Sequence, residues 1–161
     1  MKILFIPTFI VFLDQLSKNI VKNYWIENNL YYSKINFFGD YIRIVFIENP
    51  GIAFGIDTSK YHFYITILTI LAVVFLSVYL YSLIKKNHFE VLPMSFILGG
   101  AIGNLIDRVL VFSPHLNYNG VIDFIDVGVG QYRWYTFNIA DASITVGLFI
   151  FLYQSYILKK R

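Results

Sequence analysis

The sequence predicts a mainly α membrane protein: four transmembrane helices, with a small extracytoplasmic β-sheet between the first and the second. Three observations carry that prediction. Hydrophobic residues make up 57% of the 161 residues and charged residues only 14%, whereas soluble domains average about 25% charged. Four apolar segments approach or exceed the roughly 20 residues that a helix needs to cross a bilayer. Between the first two lies a stretch rich in aromatic and β-branched residues with no helical stripe. The length suits one domain, residues 1–161.

The first apolar segment runs from Ile3 to about Tyr24. Met1-Lys2 ahead of an apolar run resembles a signal-peptide start. Asp14 interrupts the run, however, and no small-residue cleavage site follows, so a retained helix is expected. Asp14 and Lys18 are four apart, which puts them on one helix face within pairing distance. The β-like outer region covers about residues 26–54 and holds YIRIVFI (Tyr41–Ile47), with a turn expected at Gly39-Asp40. ENPGIAFG (Glu48–Gly55) follows. Its Asn-Pro-Gly is a turn signal, because proline fixes φ and glycine supplies a positive one.

The second segment, Tyr61 to Ile84, carries no charge and stops at Lys85-Lys86-Asn87-His88. The third, Val91 to about Leu110, follows at once, so the two form a helical hairpin. Gly99 and Gly103 are a small-xxx-small pair that admits a close neighbour. Gly100, Asn104 and Asp107 fall on one face, and Arg108 is placed to pair with a carboxylate. Val111 to Phe137 reads as a loop with two strand-like pieces, holding Asp123, Asp126, Arg133 and Trp134. The fourth segment, Ile139 to Leu158, ends in Lys159-Lys160-Arg161. Asn138 is placed to cap it, and Asp141 lies in its first turn, where the helix dipole favours negative charge.

The net charge is a mild +3, with the basic residues at segment ends. Nucleic-acid binding, which needs a continuous basic stripe, is excluded on that pattern. Lys2, Lys85, Lys86, Lys159, Lys160 and Arg161 gather on one side, with Glu90 the acid among them. The positive-inside rule then sets both termini and the Lys85–Glu90 link in the cytoplasm, and the β-like region and the Asp123 loop outside. That threading carries Asp14, Asp107, Asp123 and Asp141 toward the outer half of the membrane.

A charge at the bilayer centre costs roughly 2.5–3.5 kcal/mol on insertion scales, so several carboxylates kept together imply a use. There is no cysteine, which excludes disulfides, thiolate catalysis and Cys-ligated metal. His62, His88 and His115 are scattered over different loops, so no metal site is expected. Ser17 and Lys18 are adjacent and point different ways on a helix, which argues against a Ser–Lys nucleophile. Asp123 and Asp141 form the candidate pair. Two carboxyls sharing a site cannot both ionise cheaply, so one keeps its proton while the other deprotonates a water. Residue types alone leave three readings open: peptide hydrolysis at the membrane surface, a transporter's proton relay, and a structural role. For Asp141, its place at a helix N-terminus is a sufficient structural reason.

DQLSK (Asp14–Lys18), ENPGIAFG (Glu48–Gly55), GNLIDR (Gly103–Arg108), GVIDFID (Gly120–Asp126) and FNIADASITVG (Phe137–Gly147) resemble the bacterial lipoprotein signal peptidases, or signal peptidase II. The blocks occur in the family's order and frame nearly the whole chain. The resemblance implies a metal-free, cofactor-free aspartyl endopeptidase of the bacterial cytoplasmic (inner) membrane. It would remove the signal peptide of a diacylglyceryl-modified prolipoprotein, cutting on the amino side of the lipidated cysteine. Carried over by motif, Asp123 and Asp141 are the catalytic dyad. Asn49, Gly51, Asn104, Asp107, Arg108, Asn138 and Ala140 shape the site or hold substrate, and Asp14 and Lys18 support it.

The resemblance further implies that the β-like region is a cradle on the membrane surface and that Gly51–Asp57 is a lid. It also implies contact with membrane lipids, susceptibility to globomycin-type peptide inhibitors, and a monomer. Ile52 stands before Ala53 where the family usually has two small residues, which would narrow the groove. VIDF in register favours Asp123 over Asp126 as the active carboxylate. The alternative, a small proton-coupled transporter, would need paired half-helices or an internal repeat, and the sequence has neither.

Overall fold

The computed structural model describes residues 5–30, 33–51 and 61–158. Four long helices dominate: α1 (Phe5–Glu27), α2 (His62–Lys85), α3 (Val91–Leu110) and α4 (Ile139–Leu158). Each lies within a few residues of its predicted segment. α3 is the hub and packs on the other three, which its glycines permit. A Cβ at Gly99 would press on Pro7 and Ile10 of α1, and one at Gly100 would collide with the Ala140 carbonyl oxygen of α4. Adjacent glycines thus serve two different neighbours.

α2 and α4 are long and apolar enough to cross a membrane on composition alone. α1 carries Asp14, Lys18 and Lys22, all buried, and α3 carries Asp107, so hydropathy alone flags neither. Lipid-style exposure marks the helices' outer faces. Phe5, Phe12, Leu68, Phe75, Phe149 and Tyr153 are exposed large apolar residues on α1, α2 and α4.

The small sheet departs from its predicted position. It has four antiparallel strands in the order β1 (Ile35–Phe38), β2 (Ile42–Asn49), β3 (Val121–Val129), β4 (Tyr132–Arg133). Half of it therefore comes from the segment between α3 and α4 rather than from between α1 and α2. The reason is burial. Val121–Phe124 is too apolar for a solvated loop, and Ile122 and Phe124 pack with Val21 and Trp25 of α1. The β1–β2 turn falls where expected, with Gly39 at φ +53°.

β3 is the strand that positions the site. Asn49 pairs with Val121 and Ile47 with Asp123. On the other edge Phe137 bridges Ile125, through Ile125 N–H to Phe137 O at 2.8 Å and Phe137 N–H to Ile125 O at 3.1 Å. That bridge delivers the next residue, Asn138, to the start of α4 beside Asp123.

Candidate active site

Asn138 shows the sequence logic most directly. It caps α4: its Oδ1 accepts from Asp141 N–H at 2.9 Å, and Asp141 Oδ2 accepts from Asn138 N–H at 3.3 Å. This is a capping box with Asn and Asp in place of the usual residues. Its Nδ2 reaches outward from the cap to Asp123 Oδ1 at 2.7 Å, to Ile122 O at 3.1 Å and to Asn104 Oδ1 at 3.1 Å. One fully buried residue therefore ties both candidate carboxylates together, Asp123 through its side-chain NH₂ and Asp141 through its main-chain N–H.

Each carboxylate has a second amide partner. Asn49 Nδ2 donates to Asp123 Oδ2 at 3.1 Å, and the Asn49 side chain is itself fixed by Gly51 N–H at 3.0 Å. Asn104 Nδ2 donates to Asp141 Oδ1 at 2.7 Å. Asp123 is 4% exposed. Burial pushes its carboxyl up from 3.8 to about 7, and the neighbouring Asp141 charge adds to the rise, against the pull of Asn49, Lys18 and Asn138. A carboxyl that exchanges its proton near neutrality, beside a second carboxylate, is equipped for general acid–base work.

Behind this pair lies a buried ionic cluster. Lys18 Nζ is 2.7 Å from Asp14 Oδ2 and 2.8 Å from Asp107 Oδ2, and it donates to Asn104 Oδ1 at 3.1 Å. The predicted Asp14–Lys18 pair forms with both side chains essentially fully buried, and Lys18 binds α1 to α3 through Asp107. Asp14 Oδ1 also accepts from Ala140 N–H at 2.9 Å, which binds α1 to α4. Asp107 Oδ2 accepts from Ile122 N–H at 3.1 Å, which binds α3 to β3. Arg108 donates to Asn104 O at 3.3 Å and lies within electrostatic reach of Asp141, Asp107 and Asp123.

The structure brings Asn49, Asn104, Asp107, Arg108, Asn138, Ala140, Asp14 and Lys18 around Asp123 and Asp141. Gly51 enters through its bond to Asn49. Ile52, Ala53 and the rest of the lid segment up to Asp57 lie outside the described residues. Asp126 is set apart, because three residues along a strand reverses the side a residue faces. It pairs instead with Arg133 Nε at 2.9 Å and with Arg43 at 3.9 Å.

Two participants escaped the sequence reading. Gln15 Nε2 reaches Asp107 Oδ1 at 3.0 Å, Gly103 O at 3.1 Å and Asp14 Oδ2 at 3.2 Å. Lys22 donates to Leu116 O at 3.0 Å and Asn117 O at 2.7 Å and sits 3.3 Å from the centre of the Tyr118 ring. It thereby fastens the connection that leads into β3. Neither carried a signal in the sequence: Gln15 stands beside an ion pair, and Lys22 follows one turn after it. A groove of about 320 Å³ beside Gln15, Lys22 and Tyr118 contains none of the paired carboxylates. Among the described residues, no three His, Asp or Glu side chains are grouped to hold a metal ion.

Known proteins resemble the chain along nearly its whole length. Residues 6–157 match the family model described as Signal peptidase (SPase) II. The lipoprotein signal peptidase of Borrelia duttonii is 36% identical over 160 residues, spanning 94% of this chain and 88% of that protein. That of Blochmanniella pennsylvanica is 32% identical over 160 residues, spanning 97% and 89%. Two solved bacterial membrane enzyme structures superpose with TM-scores of 0.73 and 0.69, at 30% and 31% identity. The first covers 95% of this chain and 91% of that one, the second 98% and 88%. From the first turn of α1 to the last turn of α4 the match leaves out no helix or strand of the fold, and the chain belongs to the signal peptidase (SPase) II family.

Proposed function

We propose that this chain removes the signal peptide from diacylglyceryl-modified bacterial prolipoproteins, cutting on the amino side of the lipidated cysteine. It acts as a metal-free aspartic endopeptidase, with Asp123 and Asp141 as its paired carboxylates. The observation that carries this reading is the buried Asn138 amide and cap, which hold both carboxylates in one hydrogen-bonded network. Asp123, raised to about 7 chiefly by burial, keeps a proton near neutrality and polarises the scissile carbonyl. Asp141 takes the proton from the attacking water and gives it to the leaving amine as the tetrahedral intermediate collapses, while the carbonyl re-forms and its proton returns to Asp123. Asn49 and Arg108 border the pair and orient the substrate.

The chain spans the inner membrane four times as a single monomeric domain, with both termini and the Lys85–Glu90 link cytoplasmic. α1 and α3 cross despite their charges, because Asp14, Lys18 and Asp107 satisfy one another inside the bundle. The sheet is a cradle at the outer surface, where the lipidated cysteine and its acyl chains arrive. Globomycin-type peptides compete with the substrate for the site. The relatives named above are signal peptidases, which leaves the transporter reading without support.

The test is cleavage of a diacylglyceryl-modified prolipoprotein by the purified protein with EDTA present. Wild type is expected to cleave, while Asp123→Asn and Asp141→Asn remain folded and do not. Appreciable turnover by either variant refutes the dyad, and loss of wild-type activity to EDTA refutes the metal-free assignment.

A further inference from the structure

The geometry points to Lys18 as a positioning residue for Asp141, acting through the Asn104 amide. This rests on the peptidase reading and extends it one layer back from the carboxylates. A lysine ammonium has three N–H donors and no acceptor. Here all three are used, on Asp14 Oδ2, Asp107 Oδ2 and Asn104 Oδ1, with the side chain 1% exposed.

An asparagine side chain can be turned either way, and its partners decide which end faces where. Asn104 Oδ1 is claimed by two donors, Lys18 Nζ and Asn138 Nδ2, both at 3.1 Å. Its NH₂ is thereby forced toward Asp141 Oδ1, which it meets at 2.7 Å. Were the amide reversed, its NH₂ would confront an ammonium that can only donate, and its oxygen would confront a carboxylate. The cation thus sets the direction of the Asn104 amide. Asn104 presents a donor to Asp141, and Asn138, with its oxygen committed to the α4 cap, presents a donor to Asp123. Asp14 and Asp107 hold Lys18 in place for this task. Among the described residues Arg108 donates to the Asn104 main-chain oxygen and not to its side-chain amide.

A double-mutant cycle tests the inference. Lys18→Gln is expected to lower kcat per folded molecule about 10- to 100-fold, the range for partners one step removed from a reacting group, with KM changed less than about twofold. In an Asn104→Ala background the same substitution is expected to lower kcat no further, because the amide through which it acts is gone. Additive losses, or an unchanged kcat in Lys18→Gln, overturn the inference and assign Lys18 to helix packing alone. If Lys18→Gln does not fold, the pair Lys18→Gln with Asp107→Asn, which keeps the cluster's net charge, takes its place under the same criterion. Wild-type cleavage with an additive cycle rejects this inference only. No cleavage by wild type rejects the peptidase reading and this inference with it.

Discussion

Replacing Asp107 with alanine removes the carboxylate at the meeting point of α1, α3 and β3. The side chain is fully buried and accepts from Lys18 at 2.8 Å, Gln15 at 3.0 Å and Ile122 N–H at 3.1 Å. The three donors lose unequally. Ile122 N–H is left as a buried donor without this acceptor, which costs about 1–3 kcal/mol. Lys18 keeps Asp14 and Asn104 but forfeits one charged bond, worth about 1.5–3 kcal/mol. Gln15 retains Gly103 O. Against these, Asp14 and Asp107 put two negative charges around one ammonium, and deleting one relieves that excess. The net expectation is about 3 kcal/mol, a large share of the roughly 5–15 kcal/mol that holds a folded domain.

Asp107→Asn keeps shape and one acceptor and is expected to cost about half as much. Lys18→Met leaves two buried carboxylates with no cation and is expected to cost the most, about 3–5 kcal/mol. Thermal unfolding in detergent micelles, with folded yield after membrane extraction, reads the order. An Asp107→Ala protein as stable as wild type refutes the reasoning. Normal stability with lost cleavage would move Asp107 from holding helices to the reaction.

Two further outcomes follow from the site and the bundle. Because Asp123 releases its proton near 7 when folded and near 3.8 when unfolded, the unfolded chain binds fewer protons between those values. Stability therefore falls as pH rises through that window, by at most about 1.4 kcal/mol per unit from this group. Asp123→Asn is expected to remove that part of the slope, and identical pH slopes in unfolding midpoints would refute the assignment. Gly100→Ala drives a methyl into the Ala140 carbonyl oxygen, parting α3 from α4 and lengthening the Asn104–Asp141 bond. A loss of about 1–3 kcal/mol, together with reduced cleavage, is expected, and unaltered unfolding and turnover would contradict it.

The helices were legible because each is an apolar run bounded by charges, and the α4 cap because Asn138 and Asp141 stand at capping spacing. The Asp14–Lys18 contact followed from a four-residue interval, but its burial did not, since that depends on Gly103 letting α1 approach α3. The outer sheet was only half legible. β1 and β2 have a turn and β-formers between two helices, whereas β3 pairs with a strand more than seventy residues earlier, and no local pattern encodes that distance. Gln15 was invisible for a related reason. Its neighbours in space, Gly103 and Asp107, belong to another helix, and a lone glutamine beside an ion pair reads as a solvated face. For Asp126 the resemblance ranked it below Asp123, and the fold supplies the physical reason in Arg133.

The sheet's divided origin has a consequence for when the protein becomes competent. Both paired carboxylates belong to the last third of the chain, while Lys18 and Asn49, which bond to Asn104 and to Asp123, belong to the first. Synthesis proceeds from the N-terminus, so Lys18 and Asn49 are made before either acid of the pair. Asp123 needs β3 paired with β2, and the second carboxylate and the Asn138 cap come only with α4. An acid pair proposed to hydrolyse peptide bonds at the outer membrane surface therefore cannot be complete until α4, the last helix of the fold, has joined it.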